Sequence, residues 1–314
     1  MTQPKIAPNR LNRYRRMWRD IRADWILYLL LVPGMVYVVL FHYIPMLGVA
    51  NAFRDYSAVT GPGAWRGLEI FEKLFSRVAF QRAFKNNIII SLFKLMCGFP
   101  VPIILSLMIN EIRRPKVKKF IQTAIILPNF ISWFIISGLL FAMFSVTSGA
   151  IPGLIRSLNP NAVITNVLQD KECIRAVVIA SYVWQASGMG TIVYLAAITG
   201  IDQQLYEAAM IDGAGKLRRI VSIDLPGILP TMSIMLILRF GSIMSLGFDK
   251  VYSMQNALNY SVSEVLSTHI YKMGIQSTKY SYSAAVSLFN NVINFIMLVT
   301  VNRISGRLSG NSLW

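Results

Sequence analysis

Six apolar stretches, each long enough to cross a lipid bilayer as a helix, constrain this chain more than any other feature: Trp25 to Ala50, Asn87 to Ile109, Phe120 to Val146, Ala176 to Ile201, Leu225 to Phe248 and Ser281 to Val301. A helical crossing needs about 20 apolar residues, because a hydrocarbon core about 30 Å thick is covered at 1.5 Å per residue. Backbone amides find no partner in hydrocarbon, so the stretches must bond internally, and they lack the period-two alternation of a membrane barrel. The expectation is an all-α membrane protein with six transmembrane helices. The 54% hydrophobic and 14% charged composition agrees, being far from the usual soluble balance.

A net charge of +17 invites a nucleic-acid reading, but the placement of the charge argues against one. Lys5, Arg10, Arg13, Arg15, Arg16, Arg19 and Arg22 precede the first stretch, and five more basic residues crowd the short loop from Glu111 to Lys119. With six crossings both ends lie on one side. That side then holds the N-terminus, the Glu111 to Lys119 loop, the Asp202 to Asp224 loop and the tail from Arg303 onward, which together carry 17 of the 31 basic residues. By the positive-inside rule that side is the cytoplasm. Six Lys/Arg in the outer loop from Met46 to Lys85 are spread thinly and do not reverse the bias. The first stretch is too long for the core of a cleaved signal peptide and is expected to remain as a helix.

The expected organisation is a basic N-terminal segment over 1–24, a first span over 25–50, an outer loop over 51–82, a five-helix core over 83–307 and a tail over 308–314. Gly61-Pro62-Gly63 reads as an external turn. Phe71, Leu74, Phe75 and Val78 recur at helical spacing among Glu72, Lys73 and Arg77, as in a helix lying in the outer interface or packed on neighbouring spans. Cys97 and Cys173 give neither a disulfide framework nor a metal spacing and read as packing residues, and His42 and His269 are too few for a metal site. No phosphate-binding glycine loop, zinc motif or nucleophile elbow is found, so any driving chemistry must come from a partner.

The most informative segment lies between the fourth and fifth spans: Ile201-Asp202-Gln203-Gln204-Leu205-Tyr206-Glu207-Ala208-Ala209-Met210-Ile211-Asp212-Gly213-Ala214-Gly215. Asp202 is a plausible N-cap, Gln203 to Ile211 tolerate helix, and Gly213 and Gly215 suit a stop with positive φ. So short a helix is marginal in water and needs something to pack against, and Ala208 and Ala209 leave its surface thin enough for close approach. A second helix, roughly Lys216 to Ile223, is expected to lead back to the membrane, with Pro226 marking its return.

Glu207-Ala208-Ala209, Gly213, Ile223 and Leu225-Pro226 fall at fixed offsets that resemble the EAA loop of binding-protein-dependent ABC importer permeases. The wording Leu-Tyr-Glu-Ala-Ala-x-Ile-Asp-Gly-Ala-Gly is similar to the carbohydrate branch, the MalF-like and LplB-like permeases. The likeness runs from about Ala83 to Arg307, with Ile126-Leu127-Pro128 and Tyr194-Leu195-Ala196-Ala197 inside it. The resemblance implies the MetI-like type I ABC importer permease fold in a bacterial cell membrane. It further implies an ATPase-coupling helix built on Leu205, Tyr206, Glu207, Ala208, Ala209, Asp212, Gly213 and Ala214, in which Glu207 touches the ATPase and Gly213 ends the docking helix. The implied partners are a second, non-identical permease, a cytoplasmic ABC ATPase dimer that carries ATP and Mg, an extracytoplasmic solute-binding protein, a carbohydrate substrate and membrane lipid. No cofactor is expected in this chain.

Lys94 and Arg239 lie within spans, where a charge at mid-depth costs about 2.5–3.5 kcal/mol on insertion scales. Each therefore reads as lining a path or pairing with a neighbour, though Lys94 is near enough to the outer end to snorkel. Sugar sites combine an aromatic face with a few hydrogen-bonding groups. By resemblance to the maltose permease the path follows the spans flanking the EAA loop, so its candidates are Tyr182, Trp184, Gln185, Ser187, Gly188, Arg239, Ser242 and Ser245. Ser187, Gly188 and Gly190 read first as small packing residues. The asparagine-rich positions of the maltose permease are mostly other residues here, which argues against maltose. Two other classes compete: an ABC permease for a non-sugar solute, and an ATP-independent channel or secondary carrier, against which the lack of an inverted repeat speaks.

Overall fold

The computed structural model describes Arg19, residues 22–310 and residues 312–313. Lys5, Arg10, Arg13, Arg15 and Arg16 of the basic lead lie outside these residues. Among the described residues five helices are long and apolar enough to cross a membrane: Trp25–Ala52, Val78–Asn110, Ile174–Thr199, Lys216–Gly241 and Tyr280–Arg307. The expected third span is not one straight helix. It is a pair, Pro115–Phe130 and Trp133–Phe144, bent by 101°. Pro128 supplies no amide to the ladder, Ile131 and Ser132 are extended, and the Ser132 hydroxyl accepts from the Ile135 amide to start the second limb.

In chain order, α1 (Trp25–Val38) runs through a π turn and shorter helical turns to Ala52 and exposes almost every side chain. A helix apolar on all sides suits lipid contact. The expected turn at Gly61 belongs to an antiparallel hairpin, β1 (Arg54–Ser57) and β2 (Gly61–Trp65), a small addition to an otherwise helical chain. Gly61 has a φ of +75°, the Arg66 guanidinium meets Asp55 at 2.7 Å, and the Tyr56 amide donates to Ser281 Oγ. Helix α2 (Glu69–Phe75) buries Ile70 and Leu74, and Phe75 meets the rings of Phe80 and Phe289, so its stripe packs on neighbouring spans.

The second span comprises α3 (Val78–Gly98) and α4 (Pro100–Asn110). Helices α5 (Pro115–Ile126) and α6 (Trp133–Phe144) are the two limbs of the bent pair, and α7 (Ala150–Leu158) follows. Next come α8 (Ile174–Thr199), α9 (Gln203–Ile211) and α10 (Lys216–Arg219). A π turn over Ile220–Asp224 then joins α10 to α11 (Leu225–Gly241). The second helix, expected over roughly Lys216 to Ile223, runs on past Pro226 into the span. The wide turn and the position of Pro226 at the head of α11 let the helix pass through it unbroken. Helices α12 (Phe248–Tyr252), α13 (Tyr260–Ser263) and α14 (Leu266–Tyr271) precede the last span, α15 (Tyr280–Ser309).

Three clusters hold these helices together. Ile103, Tyr194, Ile198 and Ile228 join α4, α8 and α11 on the side of the basic loops. Ile90, Trp133, Ile136, Val178 and Val251 join α3, α6, α8 and α12, and Leu74, Phe80, Ala83, Leu266 and Tyr282 join α2, α3, α14 and α15. A polar network lies beside the last two clusters. Glu264, 1% exposed, takes the Arg82 guanidinium at 2.6 Å and the Tyr260 hydroxyl, and its Oε1 lies 2.9 Å from His269 Nδ1. Asn86 donates to the carbonyls of Ser261 and Glu264 and accepts from Arg175 of α8 at 2.6 Å. A buried carboxylate is tolerable only when so many donors surround it.

Candidate functional site

Helix α9 is capped at both ends by its own sequence. Asp202 accepts from the Gln204 amide at 3.0 Å. At the other end Gly213 has a φ of +73°, its amide bonds the Met210 carbonyl at 3.1 Å, and the Ala214 amide bonds the Ala209 carbonyl at 2.8 Å. These two bonds with a left-handed glycine form a Schellman stop, which satisfies carbonyls that a short helix otherwise leaves open. Gly215 does not take positive φ as expected. It is extended and starts α10.

Two polar links fasten the loop to the spans. The half-buried Tyr206 donates its hydroxyl to Asp224, itself 1% exposed, at the foot of α11. Burial and this bond to a carboxylate raise the Tyr206 phenol above its ordinary pKa. Lys216 pairs with Glu111 at 3.1 Å, so the two loops expected on one side do meet. The rest of α9 faces outward. Leu205, Met210 and Ile211 are exposed, Ile211 to 87%, with Glu207, Ala208 and Asp212 open beside them, while Ala209 and Ala214 are half-buried. Leu217 of α10 extends this apolar surface. Exposed apolar patches of that kind are found where a protein or a membrane surface is met.

A second constellation lies within the helices. Lys94 does not snorkel outward. Its Nζ donates to the Ser245 carbonyl at 3.1 Å and stands 5.0 Å from the Tyr182 ring centre. Lys250, in α12 beyond the end of α11, approaches the same ring at 4.2 Å and the Trp133 ring at 5.0 Å. The Arg239 guanidinium, from the last turn of α11, lies against Gly98 and Gly190, glycines that leave it room between α3 and α8. Of the path candidates, Tyr182, Arg239 and Ser245 therefore meet in one place.

The others do not join them. Gln185 donates to the Ile131 carbonyl at 2.9 Å, and Ser242 bonds back to its own helix. Trp184 and Ser187 face an apolar cavity of about 780 Å³ with Phe93, Cys97 and Val101, on another side of α8. Gly188 is pressed on α5, where an added Cβ would sit 1.9 Å from the Ile125 carbonyl oxygen. Lys250 was not among the sequence candidates. It lies just past the apolar run of its span, and only its fold-back onto Tyr182 reveals it.

Residues 98–310 match the family described as "Binding-protein-dependent transport system inner membrane component". The chain belongs to that family. It is also 40% identical over 296 residues to protein LplB of Bacillus subtilis (strain 168), covering 94% of this chain and 92% of that one. The polygalacturonan/rhamnogalacturonan transport system permease protein YteP of the same organism is 39% identical, covering 92% and 90%. Among solved structures, a chain of a bacterial ABC transporter involved in the import of the acidic polysaccharide alginate superposes with a TM-score of 0.86 at 36% identity, covering 94% of this chain and 99% of that chain. In the same transporter's complex with an alginate pentasaccharide-bound periplasmic protein, the TM-score is 0.87 at 35% identity, covering 95% and 100%. The fold is thus that of an ABC importer permease, and this family member is a multi-pass membrane protein.

Proposed function

We propose that this chain is the permease subunit of an ATP-driven importer of oligo- or polysaccharides, forming half of the translocation path with a second, non-identical permease. The face with the basic loops is the cytoplasmic one, and both termini lie there. Helix α9 docks in a cytoplasmic ABC ATPase dimer, which binds the ATP and Mg, and this chain needs no cofactor or ATPase site of its own. A solute-binding protein delivers the sugar to the opposite face. The carbohydrate relatives and the alginate transporter support the substrate class.

Helix α9 is the observation that carries this reading: capped at both ends, tied to the spans through Tyr206 and Lys216, and exposing Leu205, Met210 and Ile211. Closure of the ATPase dimer then moves the spans through those ties. In liposomes holding the full transporter, Glu207→Arg is expected to leave membrane insertion intact and to abolish sugar uptake driven by ATP. Normal uptake by that variant would refute the coupling role.

A further inference from the structure

Lys94, Arg239 and Lys250 come from three separate segments and converge on one patch of α8. Lys94 and Lys250 share the Tyr182 ring, and the Tyr182 ring and Arg239 Nη1 both lie beside Gly98. Three like charges so placed repel one another, and among the described residues none of them has a carboxylate within ion-pair distance. The ion pairs found lie elsewhere, at Asp55, Glu69, Glu111 and Glu264. Asp249, the sequence neighbour of Lys250, is exposed and forms no ion pair among the described residues. Lys94 spends one donor on a carbonyl, and among the described residues no hydrogen bond is found from the side-chain nitrogens of Arg239 or Lys250. One turn along α8 from Gly190, Tyr194 is fully buried with its hydroxyl unpartnered.

Isolated cations inside a membrane protein are costly and are ordinarily paired. A group of three with free donors and no internal counter-ion fits a ligand that brings the negative charge. The guanidinium fork suits a planar carboxylate, and ammonium groups act as point charges beside it. Three cations from separate helices match charges spread along a chain better than one compact multivalent anion.

We propose that Lys94, Arg239 and Lys250, gathered about Tyr182, form a subsite for the carboxylates of an anionic, uronate-bearing saccharide on its way through the membrane. The proposal rests on the importer reading above and adds the charge of the cargo. It also gives the cations a reason to stay unpaired: a fixed acidic partner would compete with every passing substrate.

The test uses the complete transporter in liposomes, with a labelled uronate pentasaccharide and the neutral pentasaccharide made from it by reducing the carboxyl groups to alcohols. The wild type is expected to take up the uronate in preference to its reduced form. Lys94→Gln combined with Lys250→Gln is expected to raise the uronate KM at least about tenfold, whereas Lys94→Arg with Lys250→Arg stays within about threefold. Should the double glutamine variant fail to assemble with its partners, Lys250→Gln alone, in the short helix α12, carries the same test. A wild-type KM in the glutamine variants would overturn the subsite, as would uptake of the neutral sugar with the uronate refused. That last result leaves the importer standing, while a wild type that moves no saccharide of either kind removes the importer reading itself.

Discussion

The phenol of Tyr206, in the middle of α9, donates to the carboxylate of Asp224, which is buried at the foot of α11. The two residues lie on opposite sides of the Gly213 stop, so the bond folds the loop back on itself. A hydrogen bond to a charged group contributes about 1.5–3 kcal/mol. Tyr206→Phe keeps the ring and removes only the donor. Sugar taken up per ATP hydrolysed is expected to fall roughly tenfold while the complex still assembles, the equivalent of about 1.4 kcal/mol. An unchanged ratio would show that the bond plays no part in coupling.

Gly213 holds a φ of +73°, a conformation that costs an ordinary L-residue about 1–2 kcal/mol and a β-branched one more. Gly213→Val is therefore expected to unwind the end of α9 and uncouple hydrolysis from uptake. Gly213→Asn, which tolerates the left-handed region, should keep most of the activity. ATPase and uptake assays on both variants check this, and equal behaviour of Val and Asn would remove the backbone explanation.

Gly188 has no room for a single added carbon, since the obstacle is the Ile125 backbone rather than a movable side chain. Gly188→Ala should push α5 from α8 and destabilise the protein by about 1–3 kcal/mol or more. Gly138 on α6 faces open space and serves as the control. Thermal unfolding in detergent should show a lowered Tm for Gly188→Ala and an unchanged or slightly raised one for Gly138→Ala.

Burial pushes the Glu264 carboxyl up, but hydrogen bonds from His269, Tyr260 and Arg82 prevail and hold it below the usual carboxylate range. A depressed carboxylate contributes stability that is whole above its unfolded pKa, around 4, and is lost as pH falls through the lower folded value. Glu264→Gln should then lower the Tm most at neutral pH, and its deficit against the wild type should shrink under acid. The expected loss is about 1–3 kcal/mol, below that of a fully buried pair, because Arg82 is partly exposed. A deficit that grew as the pH dropped would contradict this account.

The spans were legible because lipid thickness sets their length, and α9 because Asp202 and Gly213 write its caps locally. The corner at Pro128 was not, since the apolar run from Phe120 to Val146 passes straight through it and hydropathy ignores the missing amide. Asn86, Arg175 and Glu264 gave no signal as a group: Arg175 lies 89 residues beyond Asn86, so only the fold brings them together. The same holds for the cations. Lys94 and Arg239 stood out by their cost in hydrocarbon, whereas Lys250 lay just past the apolar run of its span and became visible only beside Tyr182.

The corner between α5 and α6 divides one long apolar run into two short arms that meet at 101°. A straight rod transmits a push along its axis, but a bent one turns a push on one arm into a swing of the other. Gly188 seats the α5 arm directly on α8, so a push on that arm would be turned through the corner rather than passed along a single axis.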